Sequence, residues 1–248
     1  EALAWGSNLD WGFDKHPPMS AFFSEVFFKI FGSKDWAFYF LSQIFVGVAF
    51  FYVFKFANEI LNSVKLSLIS VLLIESIYFY NFTTPEFNVN VCQLPFWSLV
   101  VYYTWKIYDA KDIKFLDCFL VGFFAAVGFL SKYLFIYLLI SISILFFYLI
   151  FFKKIKKFDF KLFLIIEVFL IMLVPHFIWL YDNDFITFVY GFKRTGLEEY
   201  NILNHIYFPF TFILKQIGIL IPFLFLSWIL IKRLKFKINM KDKRVLYL

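Results

Sequence analysis

The sequence predicts an all-α fold, a polytopic bundle of membrane-spanning helices. Three observations carry that expectation. Long apolar runs recur along the whole chain, 62% of its 248 residues are hydrophobic with 41 of them phenylalanine, and the mean hydropathy is +0.77. A water-soluble domain has too little interior to hide that much apolar surface, whereas a bilayer accepts it. The net charge of +6 would suit a nucleic-acid partner in a soluble chain. Here lysines at the edges of spans account for it, and no nucleic-acid partner is expected.

Taken in order, the chain opens with a polar loop. The stretch WGFDKHPPMSAFF, residues 11–23, sets Asp14, Lys15 and His16 before two prolines. The residue before a proline is pushed towards extended geometry, and proline suits the first turn of a helix. The three polar residues are therefore expected on a fixed loop ahead of a helix starting near Pro17. Segment 17–32 is too short to span and carries Glu25 and Lys29, so it is expected along the interface. About seven spans follow, at 36–56, 66–80, 89–106, 115–131, 133–152, 161–181 and 208–231. The run 115–152 is far too long for one span, and Gly128 and Lys132 interrupt it, so it is read as a hairpin of two helices.

A single domain over 1–248 is expected. The chain starts at Glu1 rather than methionine and ends in a basic stretch, so it is read as truncated at both ends, with no cleavable signal. Cys92 and Cys118 fall near opposite membrane faces in this topology. No disulfide is expected between them.

Orientation comes from the lysines. The alternate connections 55–65, 106–117, 153–161 and 232–244 hold 17 of the 24 Lys and Arg, which makes them cytoplasmic. The other connections then face outwards: the Asp14 loop, TTPEFN at 83–88, the turn at 131–133, and 182–207. Every candidate for chemistry falls on that one side.

Each candidate has an ordinary structural reading beside a functional one. Glu86 is either a carboxylate favoured by the dipole of the next helix or a site acid. Lys132 is either a snorkelling lysine or, facing outwards, a phosphate contact at headgroup level. Lys193 and Arg194 form a second outward cationic pair, and arginine holds phosphate through two parallel bonds. His176 is either hydrogen-bonded at the interface or a ligand. A divalent metal, the one cofactor considered, would rest on Asp14, Glu86 and His176 converging. Glu75 and Glu167 lie in apolar runs and are expected to face the bundle interior. Phosphate-binding glycine loops, nucleophile triads and redox motifs are absent. An outward site holding both acids and cations suits group transfer from a lipid-linked phosphate, with the cations stabilising the leaving group.

The segments EALAWGSNLDWGFDKHPPMSAFF, NFTTPEFNVNVCQLPFW, VGFLSKYLFIYLL and PHFIWLYDNDFITF resemble, in this order, glycosyltransferase family 39. The closer resemblance is to its bacterial branch of protein-mannosyltransferase and aminoarabinose-transferase relatives. It implies the GT-C fold, with catalytic loops on the extracytoplasmic face of the plasma (inner) membrane. It also implies transfer of a sugar from a polyprenyl-phosphate donor to a lipid, protein or glycan acceptor, with inversion. By this resemblance Glu1 is the second acid of a catalytic pair whose first aspartate, the principal base, precedes residue 1. Asp14 and Lys15 match the acid and the basic residue before Pro-Pro, where donor phosphate or a divalent metal is handled, and His16 matches the histidine of the His-Pro-Pro form. Glu86 replaces the commoner aspartate of its Thr-Pro-Asp motif, and Lys132 matches the lysine of Ser-Lys-Tyr. The donor, membrane lipid and an acceptor are the partners implied. The alternative is a transporter or flippase of a polar lipid, which would be expected to show inverted repeats and polar sites at the midplane. Neither is visible in the sequence.

Overall fold

The computed structural model describes residues 2–153, 158–194 and 203–233, and every regular element among them is helical. Eleven α-helices follow in order: α1 (Ala2–Gly6), α2 (Met19–Phe31), α3 (Asp35–Leu61), α4 (Val64–Glu75), α5 (Tyr78–Asn81), α6 (Val89–Asp109), α7 (Phe115–Ser131), α8 (Ile136–Phe147), α9 (Phe163–Asp182), α10 (Ile186–Arg194) and α11 (Asn204–Arg233). Short 3-10 turns at Tyr133–Phe135 and Phe160–Leu162 lead into α8 and α9.

Among the described residues, four helical stretches are long and apolar enough to cross a bilayer: Asp35–Leu61, Tyr133–Phe152, Phe160–Asp182 and Asn204–Leu230. Three expected spans differ. The stretch 66–80 is not one helix, because α4 stops at Glu75. There the Ser76 hydroxyl donates to the Leu73 carbonyl at 2.6 Å, and extended Ile77 starts the four-residue α5. α6 has 21 residues, but Asn90, Gln93, Thr104 and Lys106 dilute its apolar character. α7 is apolar but only 17 residues long.

The chain forms two compact units. The first comprises residues 1–52 and 84–198. Its centre is α6, α7 and α9, packed through small residues on α7. A Cβ at Gly122 would lie 2.6 Å from the Ile165 carbonyl oxygen of α9. Close backbone approach through small side chains is the usual way that membrane helices associate, since lipid supplies no hydrophobic drive between them. At Lys132 the backbone turns extended (φ −163°, ψ 130°) and its N–H closes on the Gly128 carbonyl at 3.1 Å. Phe135, fully buried, occupies the space that a side chain at Gly128 would need. Farther along α8, Phe146 packs against the cluster of Cys118 and Val121. The hairpin expected over 115–152 therefore forms, with its break at Lys132.

The two cysteines are free and buried, in the first turns of α6 and α7, at opposite ends of this unit. Glu167 does not face the interior as expected: it is exposed on α9, because the face that α9 gives to α7 is taken by Ile165 and Val168.

The second unit holds residues 53–83 and 199–248. Asn62 takes a left-handed φ of 49°. Ser63 then caps α4, its hydroxyl oxygen accepting the Leu66 N–H at 3.4 Å, as N-cap serines do. α4 packs on α11. Glu75, also expected inside, is exposed at the end of α4.

Candidate functional site

The site is built at one end of the first unit, where α6 begins and α7 and α9 end. The opening loop reaches it first. The Phe13 N–H donates to the His16 carbonyl at 3.1 Å, which closes a tight tip carrying Asp14 and Lys15. Pro17 and Pro18 are buried behind it, and α2 starts at Met19. His16 turns its ring edge to Trp5 at 5.8 Å, and Trp5 stacks on Phe13 at 5.2 Å. Asp14 is exposed, while Lys15 is half-buried with its ammonium 6.0 Å from the Tyr190 ring centre. That separation is at the outer limit for a cation over an aromatic face.

This loop is tied down by the last two turns of α9. The fully buried His176 ring places Nδ1 2.5 Å from the Trp11 carbonyl oxygen and Nε2 2.8 Å from the Tyr133 hydroxyl. A carbonyl only accepts, so Nδ1 carries the proton, which leaves the neutral ring's Nε2 to accept from Tyr133. One turn on, the Trp179 indole N–H donates to Asp10 Oδ2 at 2.8 Å, and Asp10 Oδ1 accepts the Trp11 N–H at 2.7 Å. Gly12 is required for this seat. A Cβ there would stand 2.2 Å from the Trp179 ring.

The third wall comes from α6 and the Lys132 turn. Asn88 caps α6 by accepting the N–H groups of Asn90 and Val91. The Asn90 amide oxygen accepts from the Lys132 ammonium. Deeper, the Cys92 thiol donates to the Ser131 hydroxyl at 3.2 Å. The Ser42 hydroxyl of α3 donates to the Thr84 carbonyl at 2.5 Å and so holds the loop that carries exposed Glu86. Tyr133 stacks on Phe188 of α10 at 5.0 Å, which brings α10 and its exposed Lys193 and Arg194 to the same end. The Lys132 ammonium is held below the ordinary lysine range, first by burial and then by the positive charge of Arg194.

Asp14, Lys15, His16, Glu86, Lys132, His176, Lys193 and Arg194 thus occupy one end of the unit, on five separate stretches of chain. Glu1 lies outside the described residues. Among the described residues no three of His, Cys, Asp and Glu come together in a way that could hold a metal ion, and both nitrogens of His176 are engaged. The set Asp14, Glu86 and His176 does not fit a metal in this arrangement. Sequence reasoning missed Asp10, Trp11, Asn90, Tyr133 and Trp179. The signal for Tyr133 was present, next to Lys132, while Asp10 and Trp179 stand 169 positions apart and share no local pattern.

At the opposite end, the Lys161 ammonium donates to the Ile113 carbonyl at 2.8 Å and lies 3.8 Å from Asp159. That contact ties Lys161, just before α9, to the loop that precedes α7, away from the site.

Comparison with curated proteins and with solved structures gives no match. Comparison with family models gives one, over residues 15–179, which contains Lys15, His16, Glu86, Lys132 and His176 and stops short of Lys193 and Arg194. With more than half of its length matched, the chain belongs to the dolichyl-phosphate-mannose-protein mannosyltransferase family, a group of membrane glycosyltransferases of the GT-C type.

Proposed function

We propose that this protein moves a sugar from a polyprenyl-phosphate donor to an acceptor on the extracytoplasmic side of the plasma (inner) membrane. The observation that carries this reading is the cationic setting of the Lys132 turn. A partly buried ammonium, oriented by Asn90 and close to Arg194, stands at a helix break at one end of a membrane bundle. Lys132 and Arg194 repel each other there, and an anion between them relieves that repulsion. A phosphate at headgroup level is such an anion.

In the proposed reaction the acceptor hydroxyl oxygen attacks the sugar's anomeric carbon as the bond from that carbon to the phosphate oxygen breaks. The bonding electrons leave with the polyprenyl phosphate, and the configuration inverts. Lys132, Arg194, Lys193, Lys15 and His16 stabilise the leaving phosphate, through charge placed before the reaction begins. The hydroxyl proton passes to a carboxylate. Family resemblance places Glu1 in the acidic pair that supplies this base. Asp14 and Glu86, both exposed on loops at the site end, are proposed to orient the acceptor and the sugar. The charge that develops on the sugar ring is oxocarbenium-like, as in glycoside hydrolysis.

The test is direct. The protein, reconstituted in vesicles, is given a radiolabelled polyprenyl-phosphate sugar and a mixed envelope-lipid and peptide acceptor pool. Transfer of label, with release of polyprenyl phosphate, supports the reading. Movement of intact donor between leaflets without bond cleavage would replace it with a flippase.

A further inference from the structure

A second feature of the first unit lies away from the site. α6, α7 and α9 pack closely, but no residue of α8 between Ile136 and Phe147 is buried. The space left between α8 and the other three helices is a cavity of about 480 Å³, within the range of roughly 300–1,000 Å³ typical of ligand pockets. Its lining, which includes Val121, Ala125, Ile140 and Ile166, is almost wholly carbon. Two hydroxyls are exceptions. Ser143 is satisfied by its own helix, donating to the Leu139 carbonyl at 2.8 Å, while Thr104 Oγ1 has no partner. A space so poor in polar groups does not hold water. Inside a bilayer, what enters it is hydrocarbon.

The cavity extends to the Lys161 end. Ile107, Leu162 and Ile165 line it, and Leu162 follows Lys161 directly. The described charged residues of the two connections at that end are Lys106, Lys111, Lys114, Lys153 and Lys161 against Asp109, Asp112, Asp117 and Asp159, a net positive charge. The Lys161 contact with Ile113 ties the start of α9 to the loop before α7. Lys111 and Lys114 are exposed there. Basic clusters at a membrane edge attract anionic headgroups by about 1 kcal/mol per lysine.

We propose that this cavity binds one acyl chain of an anionic phospholipid whose headgroup lies beside Lys106, Lys111, Lys114 and Lys161. The occupant is a resident lipid of the leaflet opposite the site, distinct from the sugar donor, whose phosphate is proposed at the Lys132 end. It completes the packing of α8, which the protein alone leaves open.

The full chain is reconstituted in nanodiscs of phosphatidylcholine containing a trace of phosphatidylglycerol with a diazirine in one acyl chain. After irradiation the labelled residues are mapped by peptide mass spectrometry. Label is expected on 136–146 and 162–169, and several-fold weaker on the lipid-facing residues Ile171 and Ile178. The same probe with a choline headgroup should label the cavity about fivefold less, the equivalent of the charge attraction of one lysine. Ser143→Phe, which fills the cavity from an exposed position, should remove most of that label without lowering the thermal midpoint. Lys111→Gln with Lys114→Gln should erase the headgroup preference while the chain still enters. Even labelling of all lipid-facing residues, or equal labelling by the two headgroups, overturns the proposal. Displacement of the label by equimolar polyprenyl phosphate also overturns it and assigns the cavity to the donor's tail.

Discussion

The imidazole of His176 holds the carbonyl of Trp11 at 2.5 Å across 165 positions of sequence. This bond joins the loop bearing Asp14 and Lys15 to the end of α9. It makes His176 a positioning residue for the loop, with both ring nitrogens occupied and none left for a metal.

Replacing His176 should therefore act through the loop. His176→Phe keeps the ring volume but leaves the Trp11 carbonyl unmet, a cost of about 1–3 kcal/mol. Tyr133→Phe keeps the stack on Phe188 and removes the bond to Nε2 without touching the Trp11 contact. Thermal unfolding in detergent should rank the phenylalanine variant at 176 below that at 133, and His176→Asn should recover part of the loss. Equal midpoints for the two phenylalanine variants would show that the Trp11 contact carries no weight.

Gly12→Ala is expected to be severe for so small a change. The added carbon would meet the Trp179 ring at 2.2 Å, so the ring must move and its bond to Asp10 is lost. Overpacking of this kind costs roughly 1–3 kcal/mol. Tryptophan fluorescence and the thermal midpoint report it, and Trp179→Phe in the same chain should relieve part of the clash. A midpoint unchanged by Gly12→Ala would contradict the seat described for this loop.

Lys132→Ala should weaken donor use about tenfold to a hundredfold, the loss of a charge-assisted contact of roughly 1.5–3 kcal/mol. Lys111→Ala, at the opposite end, should change it little. Small, equal effects on donor KM in the two variants would remove Lys132 from the site.

The same lysine gives the site a pH signature. Donor binding needs the ammonium, and burial and Arg194 both hold its pKa below the ordinary lysine value. Binding should therefore fall as pH rises through that lowered value, at lower pH than for an ordinary lysine. Arg194→Gln removes one of the two causes, so the alkaline fall should move to higher pH even as overall affinity drops. A midpoint that stays in place would separate the two cations.

The acids are tested apart from the fold. Asp14 and Glu86 are exposed, so Asp14→Asn and Glu86→Gln should leave the stability within about 0.5 kcal/mol of the parent, read as a nearly unchanged thermal midpoint. Each should depress transfer of the sugar. Full activity in both variants would confine these residues to the protein surface.

Orientation is tested with single cysteines. Cys92 and Cys118 are buried and should give little background. Cysteines placed at 83–88 or at Arg194 should react with an impermeant reagent from outside, and one at Lys153 should not. Labelling at Lys153 alone would invert the topology and turn the proposed site towards the cytoplasm.

The sequence by itself determined that this is a helical membrane chain and that a hairpin turns at Lys132, and it raised the expectation that the candidate acids and cations share one side of the membrane. Those features follow from apolar run length and from charge between runs, and both are local properties of the chain. Family resemblance added expected roles for Asp14, Lys15, Glu86 and Lys132 that no spacing could supply. Hydropathy misjudged 66–80, where the Ser76 hydroxyl bonds back to Leu73 and ends the helix that composition would have continued. It also misplaced Glu167, since an apolar run says nothing of which face meets a neighbour. Only the tertiary structure set His176 on Trp11, Trp179 on Asp10 and Lys132 on Asn90, and only it left α8 standing off a cavity. Those pairings depend on how closely helices approach, fixed by the absence of a side chain at Gly12, Gly122 and Gly128, and contact across that distance leaves no periodic trace in the chain.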